Sequence, residues 1–461
     1  MASALRRLAS AQRFGVVHER VAREGDGHAY DQEEEEAELR GPARSRSEQP
    51  RADERRGAPG LRKRSTSLGD GLADVVVEGW RVSRFLTVNT ARLLRFTGLS
   101  FKAWFMFLRL MAFACLLLPN FLIFVWRYLS SPLISRRFYG PERRQSLDVY
   151  TSRPAAEMAG ARQPVIVFFS GGAWTIGYKA WGAVMGFCYS QLGFVFIAPD
   201  YRNAPQTTID GMLQDVDLAV GYVLRHAQSF GGDPERVVLM GQSAGAHLAC
   251  MALLGAVRRE NLGSSPRAAC DAASAPHWSL GSIRGFVGIS GPFNLELMHP
   301  HLARRGLPTA LLDYLFHNDL ARYSPVHLVR AMALQSRSGK IACAPKIVLV
   351  HGTADLTVPH TQSVELHQVL REALADPDNT LALELLPGNS HTDPIIEAPF
   401  RGVDPLLLRC IFHLDAMVAP RQEQQQQHEA TAAREAAIRA LLRRTLLPDV
   451  VIDAAQFVNP F

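Results

Sequence analysis

The chain has 461 residues, 47% of them hydrophobic, which excludes a wholly disordered protein and leaves room for one large catalytic domain with appendages. Its formal net charge of +6 invites a nucleic-acid partner, yet the arginines gather in the first 145 residues and near the C-terminus, with no zinc spacing, basic recognition helix or aromatic RNA motif beside them. Basic residues flanking an apolar segment point instead to anionic lipid headgroups, so a bilayer is expected and nucleic acid is not.

Residues 1–75 read as a disordered region. An acidic run, Glu33–Glu36, precedes a stretch from Gly41 to Gly60 rich in Arg, Ser, Gly and Pro, with few apolar residues to offset the entropy of ordering. Arg62-Lys63-Arg64 followed by Ser65-Thr66-Ser67 reads as a solvated linker. The extreme N-terminus has no continuous apolar run, so no secretory signal peptide is expected.

Residues 76–145 read as a membrane-anchoring region with its hydrophobic core at 101–129. Leu110–Trp126 carries no charge, and a bilayer span needs roughly 20 apolar residues. Trp104, Trp126 and Tyr128 stand near the ends, where amphipathic rings favour the interface, and basic residues flank both sides. Pro119-Asn120 interrupts the run and permits a kinked transmembrane span or a re-entrant hairpin, so attachment is favoured over a single crossing. The basic flanks push slightly toward a cytosolic C-terminal side.

From 146 to 420 short apolar runs alternate with helical patterns. The runs are Pro164–Phe169, Phe194–Ala198, Arg236–Met240, Arg284–Ile289, Lys346–Val350 and Leu381–Leu386. Continuous apolar strands separated by helices predict a mostly parallel sheet covered on both faces, an α/β architecture. Residues 256–281 read as a surface insertion, and Leu307–Phe316 as either a lid or an amphipathic core helix. A polar helical tail over 421–461 opens with Gln424–Gln427 and ends in the apolar Leu446–Phe461, which is expected to pack back on the domain. The six cysteines, Cys115, Cys188, Cys250, Cys270, Cys343 and Cys410, are dispersed without a CxxC pair, which favours reduced, mostly buried thiols.

Gly241-Gln242-Ser243-Ala244-Gly245 fits G-x-S-x-G between a strand and a helix, the setting of a nucleophile elbow in an α/β-hydrolase fold. A serine hydroxyl needs a base. In this fold the acid and the histidine follow in the order Ser, Asp, His, and Asp355 and His391 lie just beyond the two last strands, at the carboxyl edge where such sheets place their sites. Ser243 is therefore the expected nucleophile, His391 the base, and Asp355 the group that fixes its tautomer. His351, His247 and Asp393 are weaker competitors, and Asp200 reads as structural. Ser170-Gly171-Gly172-Ala173-Trp174, after the strand Pro164–Phe169, is the expected oxyanion loop. Its Gly171, Gly172 and Ala173, with Gln242 and Ala244 at the elbow, make up the expected oxyanion and substrate-binding set. No metal or cofactor is required.

With those motifs in view, Ser170–Gly186, Asp200–Pro205, Gly231–Val237, Met240–Leu248 and Ser390–Asp393 resemble the isoprenylcysteine methylesterases, membrane-bound relatives of hormone-sensitive lipase and kynurenine formamidase. The resemblance runs from about residue 100 to Val458-Asn459-Pro460-Phe461, and Gly177–Gly182 is its most specific piece. It implies hydrolysis of the methyl ester on a C-terminal prenylated cysteine, in endoplasmic reticulum and Golgi membranes, and leaves the oligomeric state open. The family carries His-Gly-Gly before Ala-Trp, whereas position 170 here is serine. A carboxylesterase, lipase-like enzyme or formamidase acting on another lipophilic substrate is the alternative. A hydrolase-fold receptor or scaffold without turnover ranks lower, because all three triad candidates are present.

Overall fold

The computed structural model describes residues 101–153, 162–262, 278–305, 309–393, 395–396, 405–418 and 449–459, all within the compact unit Leu61–Phe461. The expected disordered region, the glutamine run and the middle of the 256–281 insertion lie outside the described residues. The described start of that insertion is not a surface loop: it continues a helix through Leu262.

In chain order the elements are α1 (Phe101–Ser130), β1 (Ile134–Phe138), β2 (Ser146–Tyr150), β3 (Gln163–Phe169), α2 (Ala183–Gln191), β4 (Val195–Pro199), α3 (Ile209–His226) and β5 (Gly232–Gln242). There follow α4 (Ala244–Leu262), β6 (Ile283–Ile289), α5 (Leu295–Arg304), α6 (Ala310–Leu315), α7 (Pro325–Gln335), β7 (Lys346–Gly352) and α8 (Thr361–Ala373). The single turn α9 (Pro377–Thr380), β8 (Leu381–Leu386), α10 (Pro405–Val418) and α11 (Asp449–Val458) complete the series.

The eight strands form one sheet in the order β1-β2-β4-β3-β5-β6-β7-β8. Strands β3 to β8 are parallel, and β1 and β2 join antiparallel at one edge. Alternate side chains of each central strand feed opposite faces. Val165, Val167 and Phe169 enter the core layer that also holds α3, α4 and α7, while Ile166 and Phe168 enter the layer under α2 and α10. Both faces are covered, which is why these strands are apolar throughout. This is the α/β-hydrolase fold expected from the sequence, with its crossovers reversing beside β3 and β5.

The helix α1 runs unbroken through Pro119-Asn120, so the re-entrant hairpin, one of the two arrangements the break permits, is not formed. Among the described residues no helix is long and apolar enough to cross a membrane. One face of α1 is instead taken by protein: Phe113 and Leu117 bury against Ala455 of α11. That contact carries the apolar C-terminal segment back onto the domain. The opposite face leaves Phe105, Leu108, Met111, Leu118, Leu122 and Trp126 exposed.

Candidate active site

Ser243 stands between β5 and α4 with φ of 54°. A left-handed backbone at a non-glycine residue costs of order 1–3 kcal/mol and persists only where its surroundings impose it. Here the Ser243 N–H donates to Ile289 O at 2.8 Å, and its carbonyl accepts from His247 N at 3.0 Å, which starts α4. The turn needs glycine behind it, since a Cβ on Gly245 would sit 2.1 Å from the Phe169 carbonyl oxygen. Close approach of α4 to β3 thus dictates the last glycine of the pentapeptide.

His391 and Asp355 come together across the ends of β8 and β7. His391 Nδ1 lies 2.7 Å from Asp355 Oδ2. The other carboxylate oxygen accepts from Thr357 N at 2.9 Å and Val358 N at 2.8 Å. Burial raises the Asp355 pKa, but the His391 imidazole and the His351 hydrogen bond outweigh it and hold the carboxyl well below the usual carboxylate range. An ionised Asp355 makes Nδ1 of His391 the protonated nitrogen and leaves Nε2 as the acceptor. The two loops are pinned to each other by backbone, Ala354 N to Asn389 O at 3.0 Å and Thr353 N to Leu386 O at 3.0 Å. His351, fully buried, bonds Ser363 Oγ at 2.7 Å and Val358 O at 2.9 Å, which makes it a brace for the Asp355 loop.

Gln242 lies between the elbow and the imidazole. Its Nε2 is 3.3 Å from His391 Nε2 and 3.5 Å from the His391 carbonyl. Ser243 Oγ has no hydrogen bond to His391 in this arrangement, so the amide of Gln242 meets the acceptor nitrogen in its place.

The loop after β3 turns through three consecutive positive φ angles, 132° at Gly172, 47° at Ala173 and 59° at Trp174. A Cβ on Gly171 would come within 2.3 Å of Gln242 Oε1 and 2.9 Å of Ser243 Cβ, so this backbone passes directly over the elbow. Trp174 anchors it from below: its Nε1–H donates to His247 Nδ1 at 3.3 Å, and His247 Nε2–H donates to Tyr323 O at 2.7 Å. Burial pushes the His247 pKa down to about 4, which keeps the ring neutral and able to accept from the indole. Phe316, at the end of α6, packs edge-on to Trp174 at 5.0 Å. The described part of Leu307–Phe316, expected as either a lid or an amphipathic core helix, thus contributes a buried wall under the loop, with Tyr314 exposed.

Sequence reasoning missed the layer behind this loop. Tyr201 OH donates to Ser170 O at 2.8 Å, while the buried Ser170 hydroxyl finds no partner among the described residues. Asn203 donates to Gly177 O at 2.8 Å, and Arg144 holds Asp200 at 2.6 Å. Lys179 is buried and paired with buried Asp148 at 2.8 Å. These bonds tie the Asp200–Pro205 and Gly177–Gly182 stretches together. The backbone here is braced through the Ser170 and Gly177 carbonyls rather than through the Ser170 side chain.

A family profile described as BD-FAE matches residues 147–370, from β2 to α8, which takes in the glycine loop after β3, the Ser243 turn and Asp355 and stops short of His391. A probable isoprenylcysteine alpha-carbonyl methylesterase of Oryza sativa subsp. japonica is 32% identical over 382 residues, covering 82% of each chain. The chain belongs to the isoprenylcysteine alpha-carbonyl methylesterase family. A second member, the isoprenylcysteine alpha-carbonyl methylesterase of Arabidopsis thaliana, is 32% identical over 343 residues and 74% of each chain. Among solved structures, esterase 2 of Thermogutta terrifontis aligns over 63% of this chain and 97% of its own, at 23% identity and a TM-score of 0.45.

Proposed function

We propose that this chain is a serine hydrolase that removes the methyl ester from a C-terminal prenylated cysteine, with Ser243 as nucleophile, His391 as base and Asp355 as its orienting acid. The observation that carries the reading is the buried His391–Asp355 pair set against a strained Ser243 elbow under a glycine loop. The serine hydroxyl displaces the Gln242 amide from His391 Nε2 and gives that nitrogen its proton as Oγ bonds to the ester carbon. Backbone N–H groups of Gly172 and Ala244, with Gly171 or Ala173 beside them, receive the oxyanion. The C–O bond to the methoxy group then breaks, and His391 returns the proton so that methanol departs. Water attacks the acyl-enzyme, passes a proton through His391 to Ser243, and the prenylcysteine carboxylate is released. Family membership supports the substrate, and a prenyl chain suits an enzyme that meets its ester at a bilayer.

The exposed apolar stripe of α1 supports attachment to the membrane interface, where an amphipathic helix can lie with one face in lipid. Residence on endoplasmic reticulum and Golgi membranes, with the catalytic domain facing the cytosol, belongs to the same reading.

Covalent labelling tests the chemistry. A fluorophosphonate should modify Ser243 in the full chain, and Ser243→Ala and His391→Ala should each abolish labelling while the protein stays folded. Labelling that survives in folded Ser243→Ala would place the nucleophile elsewhere, and absence of any labelling would favour a scaffold.

A further inference from the structure

The loop that carries His391 is gripped from the far end of the chain. Asn459, just past α11, donates from Nδ2 to Thr392 Oγ1 at 2.9 Å and to Ser390 Oγ at 3.3 Å, one contact on each side of His391. Gln456, on α11, donates from Nε2 to Asp393 Oδ1 at 2.7 Å. Asp393 turns that contact inward, because its other oxygen accepts from Ser390 N at 2.8 Å and its own N–H donates to Ser390 Oγ at 3.3 Å. Ser390, Thr392 and Asp393 are therefore all held by side chains from the C-terminal segment. Asp355 fixes the ring, and these bonds fix the backbone from which the ring hangs.

The C-terminal segment is itself held by α1. Arg109 donates to Asn459 O at 2.6 Å and to Val458 O at 3.2 Å, the last carbonyls of α11 and its cap. Such carbonyls have no partner within a helix and attract a cation. Phe113 and Leu117 add apolar contact with Ala455 one turn further up. A continuous chain of contacts thus runs from the apolar helix α1, through α11, to the loop of the catalytic imidazole. These residues lie more than 300 positions apart at its two ends, so the contacts are not a by-product of local folding.

Building on the proposed role of His391, we infer that Asn459 and Gln456 are positioning residues for the catalytic histidine, and that Arg109 locks α1 into the same brace. The consequence is that α1 is part of the catalytic apparatus as well as an apolar surface: displacing it loosens the His391 loop. A misplacement of about 1 Å at a catalytic group can cost on the order of 10²-fold in rate. The substrate-facing groups at the elbow and oxyanion loop are untouched by these contacts, so the effect falls on kcat.

The test uses the full chain in detergent with p-nitrophenyl butyrate as probe. Asn459→Ala should lower kcat about 10- to 100-fold with KM within about twofold. Arg109→Ala should lower kcat in the same direction by a smaller factor. The decisive readout is a double-mutant cycle: in a His391→Ala background, Asn459→Ala should cost nothing further, because it acts only through the histidine. Equal losses from Asn459→Ala in both backgrounds would mean a general structural role and would overturn the inference, as would wild-type kcat in the single variant. If Asn459→Ala does not fold, Gln456→Ala carries the same cycle through Asp393. A His391→Ala protein with near-normal activity would instead bring down the proposed mechanism, a separate failure.

Discussion

Asp355 concentrates most of the site's electrostatics. It accepts from two backbone N–H groups and two imidazoles, and it is held ionised against burial. Asp355→Asn keeps the shape but offers the wrong partner to His391 Nδ1–H, so kcat should fall by about 10³–10⁴-fold while the fold survives. A kcat within tenfold of wild type would deny Asp355 its role. Because the folded-state pKa is depressed, the carboxylate contributes stability that is complete above the ordinary carboxylate range near ~4 and is lost as pH falls toward the folded value. Urea midpoints of wild type and Asp355→Asn should therefore converge on acidification from pH 6 to pH 3; a constant gap would contradict the depressed pKa. Steric demand governs Gly245. Its missing Cβ leaves room for two carbonyl oxygens, those of Phe169 and Ser170, and Gly245→Ala should cost about 1–3 kcal/mol in urea unfolding through forced backbone movement. An unchanged midpoint would show that α4 can shift away from β3 freely.

At the scale of elements, the central strands were legible and the edge was not. The runs in β3 to β8 are continuous and apolar because both faces are covered, and the sequence reading of Leu381–Leu386 has the bounds of β8. β1 and β2 escaped because they carry charge inside short strands. Arg136 and Asp148 pair across them at 3.2 Å, and buried Lys179 closes on the same carboxylate, so ion pairing substitutes for apolar burial. Periodicity has no means of seeing that compensation. The glycine-rich loop and the elbow were readable because their backbone demands specific residues. The His247–Trp174 bond and the Asn459 contacts were invisible, since each joins segments far apart in sequence through ordinary polar side chains. The apolar run in α1 was read as the core of a membrane anchor, whereas among the described residues no helix is long and apolar enough to cross a membrane, and its partnership with α11 was not foreseen. Its exposed stripe gives a prediction of its own: Leu118→Glu with Leu122→Glu should release the full chain from carbonate-washed membranes, because two charges would have to enter the apolar layer. Retention of the double variant in the pellet would show that α1 is not the attachment surface.

Over the whole described structure, the sheet order brings residues spread from 171 to 391 to one edge of one sheet. The elbow and oxyanion loop come from adjacent central strands, while the acid and the histidine arrive from the two strands at the end of the sheet. Helix α11 and its cap then hold the histidine loop from outside, and α1 packs on α11. This arrangement joins the exposed apolar stripe of α1 to the loop of His391, the proposed base, which would suit an ester recognised through a greasy chain. Burial of apolar carbons is worth about 0.8 kcal/mol per CH₂, so a prenyl group offers binding energy that a methyl ester lacks, and part of it can orient the carbonyl. The most direct measurement is methanol release by the full chain from farnesylcysteine methyl ester, set against an alkyl methyl ester of equal chain length without the cysteine. The account predicts that kcat/KM for the prenylcysteine ester exceeds the alkyl control by orders of magnitude, with the thioether intact and all release lost in Ser243→Ala. Equal rates on the two esters would contradict it and leave a general carboxylesterase in its place.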